Sequence, residues 1–196
     1  MSRSIHKIQG IVMLGAEDGS RLLAAYYPDN VKVGNKTKNL NRLYEHPERQ
    51  KVFEEELYIK SSQSVDATEG MTDIVIVDDL ICIFQCLKNV CFYIISSPEE
   101  NELVMEETLM TICESLDALF KSKVYKRSIL ENYDLLLLIL DEIIDDGIII
   151  ENDADAVIQR VDKTEQSATS EVDTIQQVAN KTKEGLSGLI KSFLDF

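Results

Sequence analysis

The sequence predicts an α+β domain with five antiparallel strands and flanking helices, followed by an amphipathic helical tail at the C-terminus. Two short apolar runs near the N-terminus are separated by a turn-forming segment, which indicates a hairpin. Three β-branched runs follow between residues 73 and 96 with only two residues between neighbours, which indicates a meander. Apolar residues at helical spacing lie on both sides of the meander.

The hairpin is predicted within residues 5–27. Its strands are IHKIQGIVML at 5–14 and RLLAAYY at 21–27, and GAEDGS between them supplies the turn. Because neither run alternates cleanly between apolar and polar residues, we expect both strands to be central in the sheet and covered on both faces.

A first helix is predicted from about residue 40 to residue 60, where apolar residues recur at roughly helical spacing among many charges. The segment SSQSVDATEGMT that follows has the composition of a loop. The meander strands DIVIV, LICIFQC and VCFYIIS are joined by Asp78-Asp79 and by Lys88-Asn89, which are turn-forming dipeptides.

Two long helices are predicted after the meander, and a brief helix, ADAVIQRV at 154–161, is predicted after a short extended piece at 148–150. The first starts with Ser97 as N-cap, Pro98 at the first helical position and Glu100 in a capping box. Its apolar stripe consists of Met105, Leu109, Ile112, Leu116 and Leu119. The second is predicted from Arg127 to Asp145, and it should be internal because Leu135–Leu140 is apolar on nearly every face.

The acidic pair Asp145-Asp146 is expected at the C-terminal end of that helix, with Gly147 as the left-handed cap of the helix. Asp145 and Asp146 there oppose the helix macrodipole, so we expect a cationic surface on a partner to offset the cost. Both residues are therefore candidate partner contacts. A calcium loop does not fit, because Ile144 would occupy its third ligand position, and no catalytic, cofactor or metal site is predicted.

The domain is predicted to close at residue 161, which leaves residues 162–196 as a linker and an amphipathic helix. The helix carries a heptad-like stripe, formed by Val172, Ile175, Ala179, Thr182, Leu186, Leu189 and Phe193. Gly185 and Gly188 weaken it by about 1 kcal/mol each, so it needs a docking surface. We expect Leu186, Leu189 and Phe193 to contact a partner.

Composition excludes several function classes. Thirty-five acidic and 20 basic residues give a formal charge of −15, which disfavours nucleic acid and direct attraction to anionic lipid. The N-terminal segment does not have the pattern of a signal peptide, and the cytosol is the expected compartment. The four cysteines are irregularly spaced without a nearby histidine, and we expect them to be small buried apolar residues.

Four segments carry a resemblance to a known family. They are IQGIVMLGAEDGSRLLAAYY at 8–27, KVFEEELYIK at 51–60, VCFYIISSPEENEL at 90–103 and KRSILENYDLLLLILDEIIDDGIIIENDADAVIQRV at 126–161. The chain resembles the small subunits of clathrin-adaptor and coatomer complexes, and its LDEI segment with the following acidic-Gly-aliphatic run is similar to the zeta subunits of the COPI coat. The resemblance implies a longin-like fold, in which one five-stranded antiparallel sheet is flanked by helices.

The resemblance also implies a non-enzymatic role. A zeta-like subunit would pair with the large gamma subunit in a trunk that also holds beta and delta. The small GTPase Arf would recruit that trunk to Golgi membranes for retrograde transport to the endoplasmic reticulum and transport within the Golgi. The alternatives are a longin-type regulator of a small GTPase or of membrane tethering, and a sigma-type clathrin-adaptor subunit.

Sigma-type subunits use a basic residue of the second strand and an apolar pocket to bind dileucine sorting signals. Arg21 matches the basic position and is therefore a candidate contact for cargo or a partner. The matching pocket positions are Cys113, Ser122, Lys123 and Ser128, which are smaller or more polar than an apolar pocket requires.

Overall fold

The computed structural model describes residues 5–27, 32–33, 36–37, 46–63 and 70–164. The strands are β1 Gly10–Gly15, β2 Arg21–Tyr26, β3 Lys32–Val33, β4 Lys36–Thr37, β5 Thr72–Val77, β6 Leu80–Leu87, β7 Val90–Ser96, β8 Ile144–Asp145 and β9 Ile148–Ile149. The helices are α1 Pro47–Ser62, α2 Glu102–Leu119, α3 Lys126–Glu131, α4 Tyr133–Ile143 and α5 at 154–164. The chain divides into two compact units, residues 1–158 and residues 159–196.

The main sheet has five antiparallel strands in the order β2-β1-β7-β6-β5. This confirms the predicted α+β architecture, with the hairpin and the meander joined by pairing of β1 with β7. All six residues of β1 are buried. The prediction that both hairpin strands are central is wrong for β2, which is half-exposed because it is an edge strand with a main-sheet partner on one side only.

Helices cover both faces of the sheet. Phe53 and Leu57 of α1 enter a core with alternate residues of four strands, which are Val12, Leu14, Val77, Leu80, Cys82, Phe84, Cys91, Tyr93 and Ile95. Successive strand residues point to opposite faces, so α2, which packs on β6 and β7, covers the other face. Its predicted stripe is buried at Met105, Leu109, Ile112 and Leu116.

The meander turns are formed by the predicted dipeptides. Asp78 and Asp79 have φ values of 50° and 64°, and Lys88 has φ 54°. Two-residue hairpin turns require such left-handed conformations, and acidic residues tolerate them better than most.

Helix starts differ from the sequence prediction. The segment after β7 first makes a turn in which the amide of Glu100 donates to the carbonyl of Ser97 over 3.1 Å. Asn101 is therefore the N-cap of α2, with its side chain accepting from the amide of Leu103 over 3.0 Å. Helix α1 begins at Pro47, because its N-cap His46 is extended and proline suits the first helical position; the predicted start near residue 40 lies outside the described residues.

The long helix predicted from residue 127 to residue 145 is two helices. The chain breaks at Asn132, whose φ of −126° and ψ of 44° are not helical, and α4 ends at Ile143. The expectation of an internal helix is also wrong: Leu136 and Ile139 are buried, whereas Leu137 is 40% exposed. One face of α4 therefore packs inward, and the opposite face, with Asp134, Leu137 and Asp141, is solvent-accessible.

Only two of the four cysteines behave as expected. Cys82 and Cys113 are free and buried, and burial raises the pKa of the Cys82 thiol to about 12. Cys86 and Cys91 form a disulfide, because the β6–β7 register places them opposite each other with Cα atoms 4.0 Å apart. The pairing was not predicted, although the two-residue turn predicted at Lys88-Asn89 sets the register that places Cys86 opposite Cys91.

Candidate functional site

The side chain of Arg21, at the start of edge strand β2, forms a bidentate ion pair with Glu54 of α1. Its Nε and Nη2 atoms each lie 2.6 Å from a Glu54 carboxylate oxygen. Nη1 lies 3.3 Å from the side-chain oxygen of Gln50, and Tyr26 donates its hydroxyl to Glu54 over 2.8 Å. The cluster fixes α1 to the edge of the sheet.

The two charged partners differ in exposure. The Glu54 side chain is 6% exposed, whereas the Arg21 side chain is 34% exposed. The carboxylate thus depends on its hydrogen bonds, because a buried charge without partners is costly. Desolvation and the negative charge of Glu54 raise the pKa of Tyr26 well above its usual range, so Tyr26 serves as a donor throughout the physiological range.

Beside this cluster lies a groove of ≈530 Å³ between α1 and the β1–β2 turn. It is lined by Asp18, Gly19, Arg21, Lys51, Glu54, Glu55, Tyr58 and Ile59. Tyr58 holds the groove together by donating its hydroxyl to the carbonyl of Glu17 over 2.9 Å. The charged lining residues have both signs, since Arg21 and Lys51 are basic and Asp18, Glu54 and Glu55 are acidic.

A second polar cluster ties three segments together at this end of the sheet. The ammonium of Lys126 lies 2.9 Å from Asp18 and 2.6 Å from the hydroxyl of Ser20, while its backbone amide donates to the side chain of Asn89 over 3.0 Å. Hydrogen bonds from Ser20, and then from Lys126, lower the pKa of Asp18 to about 2. The cluster connects the start of α3 with the hairpin turn and with the β6–β7 turn.

The structure places Asp145 and Asp146 beyond the helix, in a small hairpin. Ile144 and Asp145 pair with Ile149 and Ile148, and the turn consists of Asp146 at φ 45° and Gly147 at φ 80°. Asp-Gly is a preferred sequence for a two-residue turn in which both central residues have positive φ. Local backbone physics therefore explains Asp146 and Gly147, and the assignment of the pair to a helix end with Gly147 as its cap is wrong.

Gly147 also joins the hairpin to the chain before β1. Its carbonyl accepts from the amide of Ile8 over 2.8 Å, and the backbone carbonyl of His6 accepts from the amide of Ile149 over 3.2 Å. A Cβ atom on Gly147 would lie 2.8 Å from the Ile8 carbonyl oxygen and 2.8 Å from Cβ of Tyr27. Glycine is required here by both conformation and space.

The acidic residues that oppose the macrodipole of α4 are not Asp145 and Asp146, which lie beyond its end. Asp141 and Glu142 lie in the last turn of α4, which has no basic residue. Acidic side chains there cost a few tenths of a kcal/mol to about 1 kcal/mol each. The charge of Asp141, like that of Asp146, also helps to raise the pKa of Tyr27, of which desolvation is the main cause.

The exposed apolar residues lie on several elements. Three of them, Met71, Ile74 and Ile76, form the edge patch on and beside β5, with exposures of 60%, 44% and 61%. Others lie on the outer faces of the helices, at Val52, Ile59, Leu103, Met110, Leu130 and Leu137. A group of neighbouring exposed apolar residues, such as the edge patch, marks an interaction surface, whereas single exposed apolar residues are common on monomeric proteins.

The structure does not bring the predicted site residues together into one site. Arg21 lies on β2, while Asp145 and Asp146 lie on the small hairpin; Leu186, Leu189 and Phe193 lie outside the described residues. Over 5–27, 46–63 and 70–164, no group of histidine, cysteine, aspartate or glutamate has the arrangement of a metal site. Within the same part of the chain, no helix combines the length and the apolar character that crossing a membrane requires.

Sequence reasoning missed Glu54 as the partner of Arg21. A signal was present: Glu54 directly follows Phe53 and precedes Leu57 by three residues, which places it at the margin of the buried stripe of α1. It also missed the exposed face of α4, because an all-apolar run does not reveal which of its sides is covered.

A model of the clathrin adaptor complex small chain family matches residues 8–168. Coatomer subunit zeta of Saccharomyces cerevisiae is 32% identical over 164 residues, which cover 83% of this chain and 80% of the yeast protein. Coatomer subunit zeta-1 of Homo sapiens is 30% identical over 181 residues, which cover 92% of this chain and 91% of the human protein. A chain of a homology model of the full-length AP-3 complex in a stretched open conformation has a TM-score of 0.55 and 20% identity, covering 85% of this chain and 98% of that chain.

Proposed function

The chain belongs to the clathrin adaptor complex small chain family, and from this premise we propose that it is a zeta-type structural subunit of the COPI vesicle coat. The observation that carries the proposal is its similarity to coatomer zeta subunits of yeast and human over more than four-fifths of its length. Such a subunit acts by binding other proteins and catalyses no reaction. The groove beside Arg21 and the exposed apolar residues agree with a contact role.

The proposed direct partner is the large gamma subunit of coatomer, with beta and delta in the same trunk and Arf acting through the complex. The edge patch of Met71, Ile74 and Ile76 supports this, since stable subunit interfaces bury contiguous apolar surface. The backbone of β5 is partly occupied, because Lys60 donates to the carbonyl of Ile76 over 2.8 Å and the amide of Ile74 donates to Asp73 over 2.7 Å. Contact through side chains is therefore favoured over addition of a strand.

Assembly into that coat would place the chain in the cytoplasm and, peripherally, on Golgi membranes and COPI vesicles. Its transport steps would be retrograde Golgi-to-ER and intra-Golgi. In this proposal residues 1–161 form the small-subunit domain and residues 162–196 the linker and tail. Arg21, Asp145 and Asp146, together with Leu186, Leu189 and Phe193 of the tail, are proposed as secondary contacts.

The test is purification of the tagged full-length chain from a eukaryotic cytosolic extract, followed by quantitative mass spectrometry. The proposal expects gamma, beta and delta coatomer subunits in stoichiometric amounts. Recovery of the chain alone, with sigma-type adaptor partners, or with a small GTPase and no coat subunit would overturn it.

A second round of the same purification tests the edge patch. The double variant I74D/I76D should reduce recovery of the large subunit, because it places charge in the centre of the patch. Val52→Asp is the control, since Val52 is equally exposed at 65% but lies on α1. Equal recovery with the two variants would reject the edge patch as the contact while leaving the coat assignment in place.

A further inference from the structure

Helices α2 and α4 each present a regular solvent-facing stripe of apolar and acidic residues. On α2 the stripe follows a spacing of four, three, four and three residues, through Leu103, Glu107, Met110, Glu114 and Asp117. On α4 it follows a spacing of three and four residues, through Asp134, Leu137 and Asp141. Because these are helical spacings, each stripe runs along one side of its helix.

The apolar members of the stripes are well exposed. Leu103 is 72% exposed, Met110 is 44% exposed and Leu137 is 40% exposed. Because α2 and α4 pack against each other, the stripes are borne by neighbouring helices. We call the eight residues of the two stripes the acidic–apolar face.

The charge on these helices is one-sided. Together α2 and α4 contain eight acidic residues and no basic residue; the acidic ones are Glu102, Glu106, Glu107, Glu114, Asp117, Asp134, Asp141 and Glu142. Helix α1 differs, since it contains four acidic and three basic residues. Among the described residues, Glu107, Glu114 and Asp134 form no ion pair.

This arrangement is unfavourable for the isolated chain. Glu114 and Asp117 of the face are three residues apart, so like charges are neighbours on the helix surface. Asp117 and Asp141 also lie in last turns that contain no basic residue, where negative charge opposes the macrodipole. A cationic partner would remove both penalties, and covering the apolar residues would add a hydrophobic gain.

We propose that the acidic–apolar face docks a lysine- and arginine-rich amphipathic helix of a partner protein. The apolar side of that helix covers Leu103, Met110 and Leu137, and its basic residues lie opposite Glu107, Glu114 and Asp134. A helix fits because neighbouring helices offer ridges between which a third can pack. The proposal does not depend on which coat the chain joins.

Other occupants of this face are disfavoured by charge. A second copy of the chain would bring two acidic stripes together, and an anionic lipid or nucleic acid would meet the same repulsion. The four basic residues between α2 and α4, Lys121, Lys123, Lys126 and Arg127, are confined to the connection and the start of α3. They do not neutralise the stripes.

The test measures binding of a synthetic probe to the full-length chain by calorimetry. The probe is a peptide of leucine and lysine at helical spacing, about five turns or roughly 18 residues long. Two control peptides have glutamate in place of lysine, or the same composition with the apolar stripe scattered. We expect micromolar binding of the first peptide alone, weakened at least about tenfold between about 0.05 and 0.5 M NaCl.

The variant pair E107K/E114K should weaken binding at least about tenfold, because it reverses charge at the centre of the α2 stripe. The control is E48K/E56K on α1, outside the groove lining, which changes the net charge equally and should alter binding less than about twofold. M110Q/L137Q should also weaken binding while leaving the circular dichroism spectrum and urea midpoint unchanged.

Three results would overturn the inference: no binding of the probe, equal binding of the scattered peptide, or equal weakening by the two charge-reversal pairs. The outcome is separable from the coat assignment. Coat subunits recovered from extract with a failed probe would reject this inference alone, and a bound probe without coat subunits would reject only the proposed function.

Discussion

The ion pair between Arg21 and Glu54 gives a prediction that separates a structural role of Arg21 from a role in recognition. Arg21→Met removes both guanidinium contacts and leaves a carboxylate that is 6% exposed with the hydroxyl of Tyr26 as a donor. Breaking a buried pair from one side costs about 3–5 kcal/mol. Because water reaches the Arg21 side chain, which is 34% exposed, we reduce the expected cost to about 2–3 kcal/mol.

The order of stability among the variants depends on Glu54, which is the buried member of the pair. Glu54→Gln removes the buried charge and still accepts from Tyr26, so it should cost only about 1 kcal/mol. The double variant R21M/E54Q should recover most of the loss caused by Arg21→Met, since no unpaired carboxylate remains. For a domain of this size, a loss of about 2–3 kcal/mol corresponds to a fall in Tm of about 4–12 °C.

Urea unfolding followed by far-UV circular dichroism provides the measurement, with Arg127→Met as the control. Arg127 also forms an ion pair, with Glu131 over 2.7 Å, but its side chain is 86% exposed, so its loss should leave the urea midpoint almost unchanged. If Arg21→Met costs no more than Arg127→Met, or if R21M/E54Q is less stable than Arg21→Met, the reasoning is refuted. A stable Arg21→Met variant that loses a partner would instead assign Arg21 to recognition.

Three further predictions concern glycine, pH and thiols. Gly147→Ala should destabilise the fold by about 2–4 kcal/mol, whereas Gly70→Ala, at a similar φ with nothing within 4 Å, should cost only about 1 kcal/mol in the same urea assay; equal losses would reject the close contact with Ile8. The Asp18 carboxyl should titrate at about 2 by carbon NMR, so its contribution to stability is complete above its ordinary pKa of 3.8 and is lost as the pH falls through 2. Ser20→Ala should move that midpoint upward more than Lys126→Met, and an unchanged midpoint in both variants would contradict the assigned cause. Iodoacetamide at pH 8 should not label Cys82 or Cys113 in the folded chain but should label both in urea; fast labelling of the folded chain would show that these thiols are not buried.

The sequence predicted the strands better than the helix ends. Alternating or continuous apolar runs with two-residue turns identify β5, β6 and β7 directly, because the turn dipeptides and the runs carry independent signals. The start of α2 was misplaced because Ser97 and Asn101 are both good N-caps, and only the path of the chain leaving β7 selects Asn101. The sequence did not indicate the helix break at Asn132, because no proline or glycine lies near it.

The candidate site was predicted less completely. Arg21 was singled out from the family resemblance, but its partner Glu54 is 33 residues away, and such pairs depend on how α1 docks on the sheet. Asp145 and Asp146 were assigned to the end of an apolar helix, because the sequence did not show that the helix ends at Ile143. Asp146 and Gly147 form the two-residue turn of the hairpin that follows, so the presence of Asp146 is explained by turn geometry and not by contact with a cationic surface.

By itself, the sequence determined the order and type of most elements, the acidic character of the chain and its family. These properties are local or additive, since they depend on neighbouring residues and on totals. Tertiary structure decided which strand is at the edge, which carboxylate is buried and which side of each helix remains exposed. Those outcomes depend on contacts between residues far apart in the chain, which a pattern within one segment does not contain.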